Sequence, residues 1–400
     1  MTRPGLAASP ATTVTNPSTA VSGPTKRLLS LDVVRGITIA FMIMVNNNGG
    51  PGSWHFMNHA VWNGLTPTDL VFPTFVFVVG VSVVFAFEAR LARGAAKGQL
   101  ARHTAIRAGV LVLFGILVNS FPFFHLDHMR FYGVLQRIAV CYLVVGLFYL
   151  YDRRAWTKVV ALVVALVGYW VLVRWVPVPG LGMPGRDIPF LDMNRNLVSW
   201  IDQHLFPHHL YLYSPDFNVR DPEGMLSNLP AIGTALLGVL TGIWLRTTRA
   251  PRDKFAGLAM GAVACLLFGW LWAQWFPLNK NMWTSSFVLV AAGYSLTLLT
   301  LCYWAIEVRG WRKGWTYVWV VFGSNAIGAY MFSELTPTFF WHTAVHEGGQ
   351  AVTLEGWLMH HVYQAWLPVG WAQFGWSVSF TAFCFIPVWI LYRKKIFLKV

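Results

Sequence analysis

Residues 46–73 read NNNGGPGSWHFMNHAVWNGLTPTDLVFP, a polar, glycine-rich stretch between two long apolar segments at about 30–46 and 70–90. Each flank approaches the ~20 residues that an α-helix needs to cross about 30 Å of hydrocarbon. A polar hairpin between two such helices is tolerated only where it faces water or lines a cavity. Working outward, further apolar segments fall near 104–121, 131–150, 156–176, 229–246, 254–275, 284–305, 316–339 and 371–392. The expected fold is an all-α polytopic membrane protein of about ten transmembrane helices.

Composition agrees. Of 400 residues, 56% are hydrophobic and only 12% charged, whereas soluble domains carry about 25% charge. The net charge of +14 would point to nucleic acid in a soluble chain. Here basic residues concentrate in alternate loops, so no nucleic-acid partner is expected. Lys26 and Arg27 precede the first helix, and Arg90, Arg93, Lys97, Arg102 and Arg107 surround the second loop. Arg153, Arg154 and Lys158, then Arg246, Arg249, Arg252 and Lys254, then Arg309, Arg312 and Lys313 mark the later even-numbered loops. Arg393, Lys394, Lys395 and Lys399 follow the last helix. By the positive-inside rule both termini are cytoplasmic and the 46–73 hairpin faces outward.

Two domains are expected, a disordered tail over 1–25, rich in Ser, Thr, Ala, Pro and Gly, and a transmembrane domain over 26–400. The tail lacks the apolar core and cleavage site of a signal peptide. An extracytoplasmic loop over 177–228 reads as an ordered lid, and 342–368 as an interfacial helix. The four cysteines (Cys141, Cys265, Cys302, Cys384) lie within apolar segments at no metal spacing. Neither a disulfide framework nor a metal site is expected.

Polar residues within apolar segments mark candidate sites. Asp32 and Arg35, three apart on one helical face, form either a local ion pair or an anion site facing the cytoplasm. Gln136 and Arg137 lie about two turns into a helix, where a charge needs a cavity or a partner. Asn325 and Glu334 read as interhelical hydrogen bonds or as site residues. Lys280, in a short loop otherwise poor in basic residues, reads as a solvated charge or a ligand contact. His59 is the leading catalytic candidate. Its imidazole can accept and return a proton near neutral pH, and Asp69, ten residues on, can orient the ring.

Seven strings resemble the heparan-α-glucosaminide N-acetyltransferase family: RLLSLDVVRGITIAFMIMVNN, HAVWNGLTPTDLVFPTFVFVVG, YGVLQRIAV, DPEG, LNKNMWTSS, FGSNAIGAY and LYRKKIFLKV. They run in order from Arg27 to Val400. The resemblance implies an enzyme that moves acetyl from cytosolic acetyl-CoA to a glucosamine amine across the membrane. It implies His59 as the active-site histidine and Asn46, in the Val45-Asn46 pair, as its partner. Asn47 and Asn48 stand as alternatives in the same run. On this reading Arg27, Arg35, Lys394, Lys395 and Lys399 hold the nucleotide phosphates, with Gln136 and Arg137 along a tunnel. Asn48, Trp62, Asp69, Asp221, Glu223, Lys280, Trp283, Asn325 and Glu334 are sugar-side candidates. The expected partners are acetyl-CoA as co-substrate, an amino sugar and the bilayer of a bacterial inner (plasma) membrane, with a homodimer admissible. Attack within a ternary complex is preferred over an acetyl-histidine intermediate. The competing readings are an amino-sugar or N-acetylglucosamine transporter and an O-acetyltransferase of an envelope glycan.

Overall fold

The structure, a computed structural model, describes residues 28–125, 127, 129–211, 220–312 and 314–398. Arg27, Lys399 and the tail expected over 1–25 lie outside them. Among the described residues nine helices are long and apolar enough to cross a membrane, and the chain is an all-α polytopic membrane protein. In order they include α1 (Leu29–Asn46), α2 (Val71–Leu91), α3 (Lys97–Ser120), α4 (Val134–Tyr151) and α5 (Ala155–Trp175). A short helix α6 (Leu197–Leu205) lies in the long loop, followed by α7 (Asn228–Leu245), α8 (Pro251–Trp272) and α9 (Ser285–Tyr303).

The apolar stretch expected over 316–339 is not one helix. It is α10 (Thr316–Ser324) and α11 (Ala326–His342), broken at Asn325. Asn325 adopts φ −129°, ψ 41°, and its side chain turns to the end of the chain. The amide Nδ2 donates to the Ile396 carbonyl at 3.1 Å, and Oδ1 accepts from Leu398 N at 2.9 Å. Asn325 is therefore a tie for the C-terminal segment. After α11, the segment expected as an interfacial helix begins instead as a hairpin of β1 (Ala344–Glu347) and β2 (Gln350–Thr353). Gly348 and Gly349, at φ 57° and 84°, supply the left-handed turn that ends helical continuity. A short α12 (Leu354–Leu358) and the long α13 (Val369–Arg393) complete the fold.

Helices α1, α2 and α9 are the most buried of the long helices, and α8, α3 and α13 the least. Lipid supplies little hydrophobic drive between helices, so close backbone approach through small residues matters most. The α2–α7 contact uses it: a methyl on Gly80 would lie 2.0 Å from the Ala235 carbonyl oxygen, and one on Gly238 2.0 Å from that of Phe77. Gly36 on α1 meets the Trp319 carbonyl of α10 in the same way, at 1.8 Å. Gly80→Ala or Gly238→Ala forces these backbones apart, and each is expected to lower stability by about 1–3 kcal/mol in detergent thermal unfolding. Gly168→Ala, where no atom lies within 4 Å, should leave the transition in place.

Candidate active site

The stretch between α1 and α2 winds around two asparagines. Asn48 donates to the Met57 carbonyl and to Asn58 Oδ1, and its own Oδ1 accepts from Gly50 N at 3.1 Å. Asn58 returns its amide to the carbonyls of Ser53 and Trp54. Gly49, Gly50 and Gly52 take φ of 77°, 93° and 93°, which glycine adopts without a Cβ penalty. Asn48 therefore builds the turn, and its polar atoms are spent within it. Asn47 likewise donates to the Ile43 carbonyl at 3.0 Å.

This turn presents His59. The ring Nδ1 lies 2.7 Å from Asp69 Oδ1, and the other carboxylate oxygen accepts from the backbone amides of Ala60 at 3.1 Å and Thr66 at 3.0 Å. Asp69 is fully buried, while 47% of the His59 side chain is exposed. The carboxylate therefore serves as the fixed partner of the ring. Asp69 accepting at Nδ1 assigns the proton to that nitrogen and leaves the Nε2 lone pair available.

A third group completes the cluster. Lys280 Nζ lies 3.2 Å from each ring nitrogen of His59. Its loop is sewn to the histidine hairpin, with Gly64 N donating to the Leu278 carbonyl at 2.9 Å and Asn279 Nδ2 to Asn63 Oδ1 at 3.0 Å. Asn279 also accepts from Met282 N, and Thr284 Oγ1 accepts from Asn279 N. Trp283 turns the loop at φ 53° with its indole fully buried against Phe72 and Phe287. Burial draws the Lys280 ammonium below its ordinary value, with the carboxylates of Glu223 and Asp69 opposing. Trp283, a sugar-contact candidate, is thus a wedge behind the loop.

Glu223 connects this cluster to the long loop. Arg130 holds both it and Asp221, contacting the Asp221 oxygens at 2.8 and 2.7 Å. Arg137, fully buried, donates to the Gly224 carbonyl and to Ser227 Oγ, and lies 4.8 Å from the Trp283 ring centre. At the same end of the bundle Asn46 Nδ2 donates to Glu334 Oε1 at 3.0 Å. Trp62 is partly exposed; its indole N–H meets the Leu191 carbonyl at 2.7 Å, and Arg220 lies over its ring.

A cavity of about 510 Å³ reaches toward this side from the other end of the bundle, within the size range of small-molecule sites. At one end its wall carries Arg35, Arg90, His103 and Arg107, and His103 is exposed, so this end meets the surface. Arg35 donates to Ser82 Oγ at 2.7 Å and reaches Asp32 at 3.4 Å. The middle is apolar, including Ile39, Phe75 and Leu135. The far end carries Met42 and Tyr330, one helical turn before Asn46 and Glu334. Tyr330 is within electrostatic reach of Glu334 and Glu223, and Glu223 of Lys280. Electrostatic interactions thus run from the far end of the cavity through Glu223 to Lys280 beside His59.

The walls also correct several expectations. Among the described lining residues are neither Gln136 nor Arg137; Gln136 fills the space left by Gly115 and Gly133, and Arg137 braces Gly224. Lys394 and Lys395 are exposed beyond α13, and it is Leu398 of that segment that lines the cavity. Arg90 and Arg107 enter the sequence reading as topology signals alone, and His103, Tyr330 and Arg130 are not singled out by it.

This arrangement, an oriented histidine above a cation-ended cavity in a helical membrane bundle, can be set beside known proteins. The family profile "Heparan-alpha-glucosaminide N-acetyltransferase, catalytic" matches residues 27–269. The chain belongs to this family. Heparan-alpha-glucosaminide N-acetyltransferases from Homo sapiens and Mus musculus are 29% and 28% identical to it. The alignments cover 94% of this chain and 60% of each relative, so the chain spans about 60% of the length of these relatives. Within the family match lie His59, Asn46, Asp69, Arg90, His103 and Arg107.

The long loop is fastened next to the site by a buried acid. Asp202 on α6 is fully buried, accepts from Met225 N at 2.8 Å, and packs against Gly224. Burial, reinforced by the charge of Asp221, pushes its carboxyl up to about 7. The folded state therefore binds a proton that the unfolded chain releases near pH 4. Stability should fall as pH rises from about 4 to about 7, by at most about 1.4 kcal/mol per pH unit from this group. In thermal unfolding across that range, Asp202→Asn should flatten the slope and leave the variant relatively more stable at neutral pH.

Proposed function

We propose that the protein transfers an acetyl group from cytosolic acetyl-CoA to the amine of a glucosamine, terminal or free, presented on the opposite face of the membrane. The observation that carries this reading is the cavity itself, with four cationic or titratable nitrogen side chains at one end and the His59 cluster beyond the other. A ligand with phosphates at one end and a long uncharged arm matches that polarity. Arg35, Arg90, His103 and Arg107 would meet the phosphates through charge-assisted hydrogen bonds. Ile39, Phe75 and Leu135 would pack the arm. The loop-charge pattern supports placing the phosphate end in the cytoplasm, with both termini, and His59 outside. In a bacterium that membrane is the inner one.

The chemistry follows from the histidine. An ammonium is not a nucleophile, so a proton must leave before attack on a thioester. His59 Nε2, oriented by Asp69, takes it. That first proton passes on to solvent, the resulting amine attacks the thioester carbonyl, and the second proton, lost from nitrogen as the amide forms, passes through His59 to the departing thiolate. The same geometry serves a ternary complex or an acetyl-imidazole. We favour the ternary complex, because a thioester already beside the amine makes a covalent stop unnecessary. Trp62 offers a partly exposed ring for a pyranose face. The names of the human and mouse relatives support an α-linked terminal glucosamine as acceptor.

Purified protein in liposomes, supplied with labelled acetyl-CoA and glucosamine, should yield N-acetylglucosamine and free CoA. His59→Ala should lose at least about 10²-fold in turnover. Sugar uptake without acetyl transfer, or full turnover by His59→Ala, overturns the reading. Arg107→Ala and Arg35→Ala should each raise the acetyl-CoA KM about tenfold, the value of one charge-assisted hydrogen bond, while leaving the glucosamine KM in place.

A further inference from the structure

Lys280 is more than a neighbour of the histidine. A point 3.2 Å from both ring nitrogens lies on the plane that bisects the ring between them. That plane contains the axis of neither nitrogen lone pair. The ammonium thus lies over the face of the His59 ring, off both lone-pair axes, and leaves the Nε2 lone pair open at the ring edge. Three hydrogen-bonded links fix it there: Gly64 to Leu278, Asn63 to Asn279, and Asn279 to Thr284. Asn279, Trp283 and Thr284 are fully buried, so this loop is built as rigidly as a core element. Among the described residues no carboxylate closes an ion pair with Lys280; the charges that act on it are those of Glu223, Asp69 and Arg137.

A fixed cation beside a free base is what acyl transfer needs. The base must stand within about 2.6–3.2 Å of the amine proton, and a donor within about 2.7–3.1 Å of the oxygen that becomes negative. The amine nitrogen and that oxygen become bonded to one carbon, so base and donor must themselves be close. Asn46, the oxyanion partner expected from the sequence, has its amide turned to Glu334.

We propose that Lys280 is a second catalytic residue, whose ammonium binds the thioester carbonyl oxygen and holds the oxyanion formed when the amino sugar attacks. This rests on the acetyl-transfer reading. The C–N bond forms as the carbonyl π pair moves onto oxygen, and the amine proton passes to His59 Nε2. The oxygen charge rests against Lys280. Collapse restores the carbonyl and breaks the C–S bond. The sulfur leaves with the electron pair and takes the proton back from the imidazolium, giving free CoA and the N-acetyl sugar.

The test has two readouts. In the first, acetyl-CoA carrying ¹³C at the thioester carbonyl is bound without acceptor, and its stretching band is recorded by difference infrared spectroscopy. The band should move to lower frequency on wild-type protein and return to its solution position on Lys280→Met. In the second, Lys280→Met should lose about 10²–10³-fold in kcat, the typical effect of removing one oxyanion donor, with both KM values within about threefold. Lys280→Arg, which keeps the charge, should retain the band shift and recover at least a tenth of the turnover. Thermal unfolding of each variant verifies its fold. If Lys280→Met does not fold, Lys280→Arg decides: a lost band shift in a folded Arg variant overturns the assignment. A raised glucosamine KM with unchanged kcat and band position also overturns it, and makes Lys280 a sugar contact. Wild-type protein that transfers no acetyl overturns the transfer reading and this assignment together. Wild-type transfer with unaltered Lys280→Met overturns the assignment alone.

Discussion

The carboxylate of Asp69 holds the histidine end of this protein together. It is fully buried at the head of α2, and its neutralising company is local: the amides of Ala60 and Thr66 and the imidazole of His59. Buried without them, a carboxylate would carry a penalty of several kcal/mol. The chain from Asn58 to Thr66 must therefore curl back onto the helix start, and His59 is positioned by the same act. Removing Asp69 would disturb the fold of the hairpin and the direction of the ring together.

Around this centre the rest of the site is assembled from parts remote in sequence. The α8–α9 loop arrives through Asn63 and Asn279, and Arg130 gathers Asp221 and Glu223 from the long loop. Glu334 arrives from beyond the break at Asn325. Each junction is a side-chain hydrogen bond. The cavity is lined by α1, α2, α3, α4, α10 and α11, so its cation-bearing end and its far end belong to one helical bundle.

Much of this was legible beforehand. Length and hydropathy located the crossing segments, because hydrocarbon thickness fixes helix length. α3 begins at Lys97 and not near 104, since its first turns are polar and carry no hydropathy signal. The pairing of His59 with Asp69 was visible from their separation and the turn residues between them. The other asparagines and buried polar residues were not. Asn48, Asn325 and Trp283 looked like ligand contacts because polar or aromatic residues near a site carry the same signature whether they touch substrate or brace the backbone. Arg90 and Arg107 fell to the opposite error: a charge that satisfies the positive-inside rule looks fully explained, although both converge on one cavity with Arg35 and His103. Only packing in three dimensions separates these cases.

Trp283 has a further consequence. Its backbone is left-handed, a conformation that costs a residue with a Cβ about 1 kcal/mol or more, while its indole fills a fully enclosed space between Phe72, Phe287 and Thr234. Glycine would suit the turn and empty the space; another large side chain would fill the space and keep the strain. No single replacement satisfies both demands. Sequence drift at this position is thereby confined, and with it the freedom of the loop to wander from the histidine it serves.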